Sequence, residues 1–125
     1  MNQKTIKNSA TISGVGIHTG VHTNLTLVPA KANTGIRFIR TDLEGKPTIP
    51  ANVDYVFSTN RSTNLKIKNS EVYTVEHVLA AIVAEGIDNI IIEVDNMEVP
   101  ILDGSSIQFS ELISEVGIQE LNERK

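Results

Sequence analysis

The chain has 125 residues, 40% of them hydrophobic and 21% charged, the size and composition of one folded domain and too short for two separate cores. It contains no cysteine, which excludes a disulfide framework, a thiol nucleophile and every thiolate metal site, so a metal would have to be held by His, Asp or Glu. A net charge of −4 with 4% aromatic residues disfavours nucleic acid as a partner, and the lack of any apolar run near about 18 residues, or of a signal peptide, predicts a cytoplasmic chain with no stable membrane insertion.

From Met1 to about Leu65 the pattern is one of short strands broken by turns, the clearest breaks being Gly14-Val15-Gly16 and Thr19-Gly20. Asn24-Leu25-Thr26-Leu27 and Gly35-Ile36-Arg37-Phe38 alternate polar and apolar residues, as half-buried strands do. Val53 to Phe57 and Thr63 to Ile67 are weaker strand candidates. The period then changes. Val75, Val78, Leu79, Ile82 and Val83 recur at helical spacing, predicting a helix over 75–85 with Thr74 as N-cap and Gly86 as its stop. Ile90-Ile91-Ile92 and Val94 are β-branched in a run too short for a buried helix and predict a central strand. Ser105 and Gln108 form a capping-box pattern ahead of a second helix over 106–116, which Gly117 ends. Residues 119–125 are polar apart from Leu121 and are expected to be a tail or a linker. Strands followed by helix, strand and helix predict an α+β two-layer sandwich, a mainly antiparallel sheet covered by two helices.

The first predicted helix is unusual in having no charged side opposite its apolar stripe. At 100° per residue, Val75, Val78, Leu79 and Ile82 share one side, while His77 lies opposite among Ala80, Ala81 and Ala84, with Glu76 and Glu85 on the flanks. Small side chains there would let a second domain or a ligand approach closely; equally, Ala is the best helix former and needs no partner. The Glu76-His77 pair is chemically suggestive, since imidazole is a common metal ligand and a carboxylate can take a proton from an activated water. The metalloprotease pattern of two His four apart on a helix is absent, because Tyr73 and Ala81 occupy those positions around His77. His18 and His22 have that spacing but lie among turns and strands, so they are expected to be solvent-exposed or turn histidines. Zinc takes three or four protein ligands, and His77 would need partners from elsewhere. Asp103-Gly104-Ser105-Ser106 is expected to be a tight turn into the second helix rather than a nucleophile site.

Taken together and in order, Gly14-Val15-Gly16-Ile17-His18-Thr19-Gly20, Thr74-Val75-Glu76-His77-Val78-Leu79-Ala80-Ala81, Gly86-Ile87-Asp88-Asn89 and Pro100-Ile101-Leu102-Asp103-Gly104-Ser105 resemble the N-terminal domain of the UDP-3-O-acyl-N-acetylglucosamine deacetylases. These are the zinc enzymes of lipid A synthesis in Gram-negative bacteria. The resemblance covers about Gln3 to Gly117 and implies a fold like that of ribosomal protein S5 domain 2. It also implies that His77 is a zinc (Zn2+) ligand and that Glu76 is the acid/base residue. The reaction would then be hydrolysis of an acetamide on a nucleotide-sugar lipid. His18 matches a glycine-flanked histidine close to the family's active site, which implies a substrate-orienting or ligand-supporting role. Asp103 and Gly104 match a turn near that site.

In the family, the other two zinc ligands belong to a His-Lys-x-x-Asp motif in a second, C-terminal deacetylase domain. The three histidines here are followed by Thr19, Thr23 and Val78, so that motif is absent. Residues 1–118 are therefore expected to be one N-terminal domain and 119–125 the start of a linker, with the fragment inactive alone and prone to self-association through its alanine face. Asn60-Arg61-Ser62 departs from the apolar, Cys-containing segment of well-known members and resembles the form fused to a 3-hydroxyacyl-ACP dehydratase. The alternative, from a different class, is a free-standing α+β binding or scaffold module without catalysis.

Overall fold

The computed structural model describes residues 1–58 and 62–125. Among these, the strands are β1 (Asn2–Ile6), β2 (Ala10–Val15), β3 (His22–Pro29), β4 (Ile36–Arg40), β5 (Thr48–Pro50), β6 (Val56–Ser58), β7 (Thr63–Ile67), β8 (Ser70–Val72), β9 (Ile90–Val94) and β10 (Ile118–Arg124), and the helices are α1 (Glu76–Ala84) and α2 (Ile107–Val116). The main sheet runs β2-β3-β9-β4-β5. β9 is its centre, as the isoleucine run predicts; it pairs antiparallel with β3 and parallel with β4. That register sets Ile92 beside both Leu27 and Phe38, and all three are fully buried. Alternation sends Leu25, Leu27, Phe38, Ile90, Ile92 and Val94 into one core with Val78, Ala81 and Ile82 of α1 and Phe109 and Ile113 of α2. The two-layer α+β architecture is therefore present, mostly antiparallel, with two additions: a small β6-β7-β8 sheet and a β1-β10 ribbon. Of the weaker strand candidate at Val53–Phe57, Val53–Tyr55 is instead a single 3-10 turn leading into β6.

Both helices end where glycine predicts. At the end of α1, Gly86 has φ +74, and the N–H groups of Gly86 and Ile87 donate to the Val83 and Ile82 carbonyls at 3.0 and 3.1 Å, the pattern of a Schellman stop. The starts differ from expectation. Thr74 does not cap α1: it sits at φ +63, and Val75 occupies the cap position with no side-chain cap bond. The positive φ of Thr74 is not the extended conformation a cap residue takes, and its hydroxyl donates to the Glu98 carboxylate. Nor does Ser105-Gln108 close a capping box. Gln108 Oε1 accepts from Asp103 N at 2.9 Å, and Ser105 Oγ accepts from Ile107 N at 3.3 Å.

Residues 119–125 are not a loose tail. They form most of β10, paired antiparallel with β1 through Asn2 opposite Arg124, Lys4 opposite Glu120 and Ile6 opposite Ile118. Backbone pairing needs no apolar alternation, which is why a polar segment hides a strand. A polar knot secures the ribbon: Gln3 Nε2 donates to Asn33 Oδ1 and to the Arg124 carbonyl, and Gln3 Oε1 accepts from Asn33 N and Asn89 Nδ2. The Asp88-Asn89 pair serves here too, Asp88 Oδ2 accepting from Lys4 N and Asn89 Oδ1 from Thr34 N and Gly35 N. Deleting residues 118–125 should speed amide exchange throughout β1 and lower unfolding free energy by about 0.5–1.5 kcal/mol for each ladder bond lost. Urea denaturation and hydrogen exchange check this, and unchanged β1 protection would count against it.

Candidate functional site

Three of the four sequence motifs meet at the start of α1. The β2-to-β3 turn, which carries His18, lies beside Pro100–Leu102: the Ile101 N–H donates to the Val15 carbonyl at 2.9 Å. A side chain at Gly14 would come within 3.1 Å of Pro100. The strand before α1 is tied to the same segment, since Tyr73 N donates to the Met97 carbonyl and Val99 N to the Tyr73 carbonyl. The fourth motif, Gly86 to Asn89, lies at the other end of α1 and holds the ribbon, so it contributes nothing to this site.

Glu76 opens α1 and is half-buried. Its Oε1 accepts from Thr63 N at 3.4 Å, a long bond that leaves most of the carboxylate's acceptor capacity free. The helix N-terminus favours its negative charge. His77 follows, half-buried rather than sunk in the aliphatic core, and no hydrogen bond to a described residue engages its ring. It lies within electrostatic reach of Asp103. The Ser105 hydroxyl and N–H, at 2.8 and 3.0 Å, are the main cause holding the Asp103 carboxyl below the usual range, and the His77 imidazole adds to it. The Asp103-Gly104-Ser105 segment is thus a turn closed on its own carboxylate, as its composition predicts. Leu102, just before it, has φ +53, a strained conformation for a non-glycine residue. His18 is exposed within its turn, and His22 is exposed at the start of β3.

The alanine face needs correcting. Ala81 is fully buried, whereas Val83 is 70% exposed; Ala80 and Ala84 are exposed. The reason is α2: Ser114 Oγ donates to Glu85 Oε1 at 3.0 Å, so the side of α1 shared by Glu85 and Ala81, four residues apart, faces the second helix. The open side of α1 is Ala80, Val83 and Ala84, with His77 at its start.

Sequence reasoning missed Glu98. It is fully buried, and its carboxylate accepts from His18 N at 3.1 Å, Thr19 N and Thr19 Oγ1 at 2.8 Å, and Thr74 Oγ1 at 2.5 Å. Its own carbonyl accepts from Thr23 Oγ1 at 2.7 Å. The only signal in the sequence was an acid inside the apolar stretch Met97 to Leu102. Asn60 and Arg61, singled out above, lie outside the described residues.

Zinc requires three or four protein ligands. Among the described residues no group of three His, Asp or Glu side chains is placed to hold a metal. His77 can offer one imidazole nitrogen, and the rest of a ligand set would have to come from elsewhere. No helix among the described residues is long and apolar enough to cross a membrane.

The fold defines the class as an α+β domain, and its first helix opens with the Glu76-His77 pair. The chain belongs to the LpxC family, described as UDP-3-O-acyl N-acetylglycosamine deacetylase, whose model matches residues 3–125. Relatives named UDP-3-O-acyl-N-acetylglucosamine deacetylase include those of Psychrobacter sp., 45% identical over 96% of this chain and 40% of the relative; Thermosynechococcus vestitus, 49% over 93% and 41%; and Chlamydia caviae, 48% over 98% and 43%. The chain therefore spans about 40% of the length of these curated relatives.

Proposed function

We propose that this chain is the N-terminal portion of a zinc-dependent deacetylase that hydrolyses the N-acetyl group of UDP-3-O-acyl-N-acetylglucosamine in lipid A biosynthesis. The observation that carries this reading is the Glu76-His77 pair, accessible at the head of α1 in a chain whose family match runs from 3 to 125. Glu76 acts as general base and then general acid, taking a proton from the attacking water and returning it to the departing amine. His77 supplies one ligand to zinc, which when bound provides Lewis-acid polarisation of the amide carbonyl. His18, projecting from its turn, orients the substrate. The remaining ligands and the acyl-chain passage belong to a C-terminal deacetylase domain, and the reaction takes place in the cytoplasm. A linker to that domain would begin after β10.

Two expectations follow for residues 1–125 on their own. Purified and zinc-loaded, they should give no turnover, and activity should return when a relative's C-terminal portion is supplied; zinc-dependent hydrolysis by this chain alone would refute the division of labour. The open Ala80, Val83 and Ala84 side of α1 should drive self-association with His77 near the contact. A clean monomer at high concentration in sedimentation would refute that.

A further inference from the structure

A carboxylate buried without a cation is a costly element of any fold, because the charge leaves water and must be solvated by protein dipoles. The ion pairs among the described residues, Arg40 with Asp42 and Lys125 with Asp88, do not involve Glu98. Its solvation comes from neutral donors on two segments far apart in sequence: the His18-Thr19 turn and Thr74. Both carry the side chains assigned to chemistry. Thr74 is held at φ +63, a conformation costly for a β-branched residue, and it lies two residues before Glu76. The turn has been built around the carboxylate: a Cβ at Gly16 would fall on the Glu98 carboxylate itself.

Resting on the function proposed above, we infer that Glu98 is a positioning residue, whose buried carboxylate fixes the His18 turn against the head of α1 and so sets His18 relative to Glu76 and His77. Its action is through the turn, since its oxygens are fully occupied by donors and closed to solvent. Other acidic groups near the start of α1 do different work. Among the described residues Glu76 takes the long Thr63 bond, and Asp103 closes its own turn on Ser105.

The test is a double-mutant cycle in the full-length enzyme, comparing Glu98→Gln, His18→Ala and the pair. Glutamine keeps the shape but turns an amide donor toward donors. We expect kcat to fall about 10–100-fold in Glu98→Gln, the span of one or two lost charge-assisted hydrogen bonds, with KM nearly unchanged. The pair should be about as slow as His18→Ala alone, because both remove one function. Losses that multiply, as they would for a role in stability only, overturn the proposal, and so does wild-type kcat in Glu98→Gln. A second readout is independent of turnover: the His18 and Thr19 amides should exchange at least about tenfold faster in Glu98→Gln, while β9 amides keep their protection. Unchanged exchange also overturns it. If Glu98→Gln fails to fold, Thr19→Val removes one donor to the carboxylate and should give the same non-additivity at smaller amplitude; additive losses again refute it. Failure of the underlying functional reading is distinct and shows as full turnover in Glu76→Gln.

Discussion

Replacing Glu76 with glutamine in the full-length protein should lower kcat by about 10²–10⁴-fold, the usual contribution of a positioned acid/base group. Glutamine preserves volume and can still accept the long Thr63 bond, so the fold should survive with little change in stability. What disappears is a basic site at the first residue of α1. The geometry that makes this expectation sharp is the looseness of the native carboxylate: half-buried, with one weak donor and no cation paired to it among the described residues. A structural glutamate would be saturated, as Glu98 is. Steady-state kinetics with urea denaturation of the same preparation separates the two effects, and a kcat within about threefold of wild type at unchanged stability would remove Glu76 from the mechanism.

Glu98→Ala should be the most damaging single change to the fold, costing about 3–5 kcal/mol, because it leaves the Thr74 hydroxyl, two turn amides and the Thr19 hydroxyl without their acceptor and opens a void beneath Gly16. The same residue makes stability depend on pH. Burial by itself pushes the Glu98 carboxyl up, but the Thr74 hydroxyl, the Thr19 N–H and hydroxyl and the His18 N–H together hold it below its ordinary value of 4.5. A carboxyl depressed by folding contributes stability that is fully present above the unfolded pKa and is lost as pH falls through the folded one. The stability difference between wild type and Glu98→Gln should therefore be constant near neutrality and shrink on acidification below about pH 4.5. Asp42, lowered chiefly by its hydrogen bond to Arg40, loses stability on the same side, but it is common to both proteins and cancels in the comparison. Urea denaturation from pH 7 to pH 3 measures it; a difference independent of pH would show that folding does not depress the carboxyl, and one that grows on acidification would show that the carboxyl is uncharged in the fold.

The helices and β9 were legible because their signals are local. Helical spacing from Val75 to Ile82, the isoleucine run of β9 and the glycines at 86 and 117 each act within one or two turns of chain, and no distant partner is needed to fix them. The Glu76-His77 pair and the order of the four motifs were legible for the same reason, being written in adjacent residues. Thr74 shows where that logic fails. As a residue before a helix it should cap it, yet it sits at φ +63 with its hydroxyl donating to a carboxylate 24 positions along the chain. Ala81 and Val83 fail in a similar way, because the periodicity of α1 describes one buried face and carries no information about the second, which α2 covers.

By itself, then, the sequence determined the α+β class and the identity and rough bounds of the two helices and the central strand, and it singled out the Glu76-His77 pair to which the proposed function assigns the chemistry. Tertiary structure alone decided that a polar C-terminal segment pairs with β1, that Gly86 to Asn89 serves the ribbon and not the site, and that Glu98 is the acceptor on which the His18 turn and the head of α1 converge. The physical reason is one of range. Propensity and periodicity act between neighbours, whereas backbone pairing and the solvation of a buried charge are fixed only when segments remote in sequence arrive with their donors and acceptors opposed.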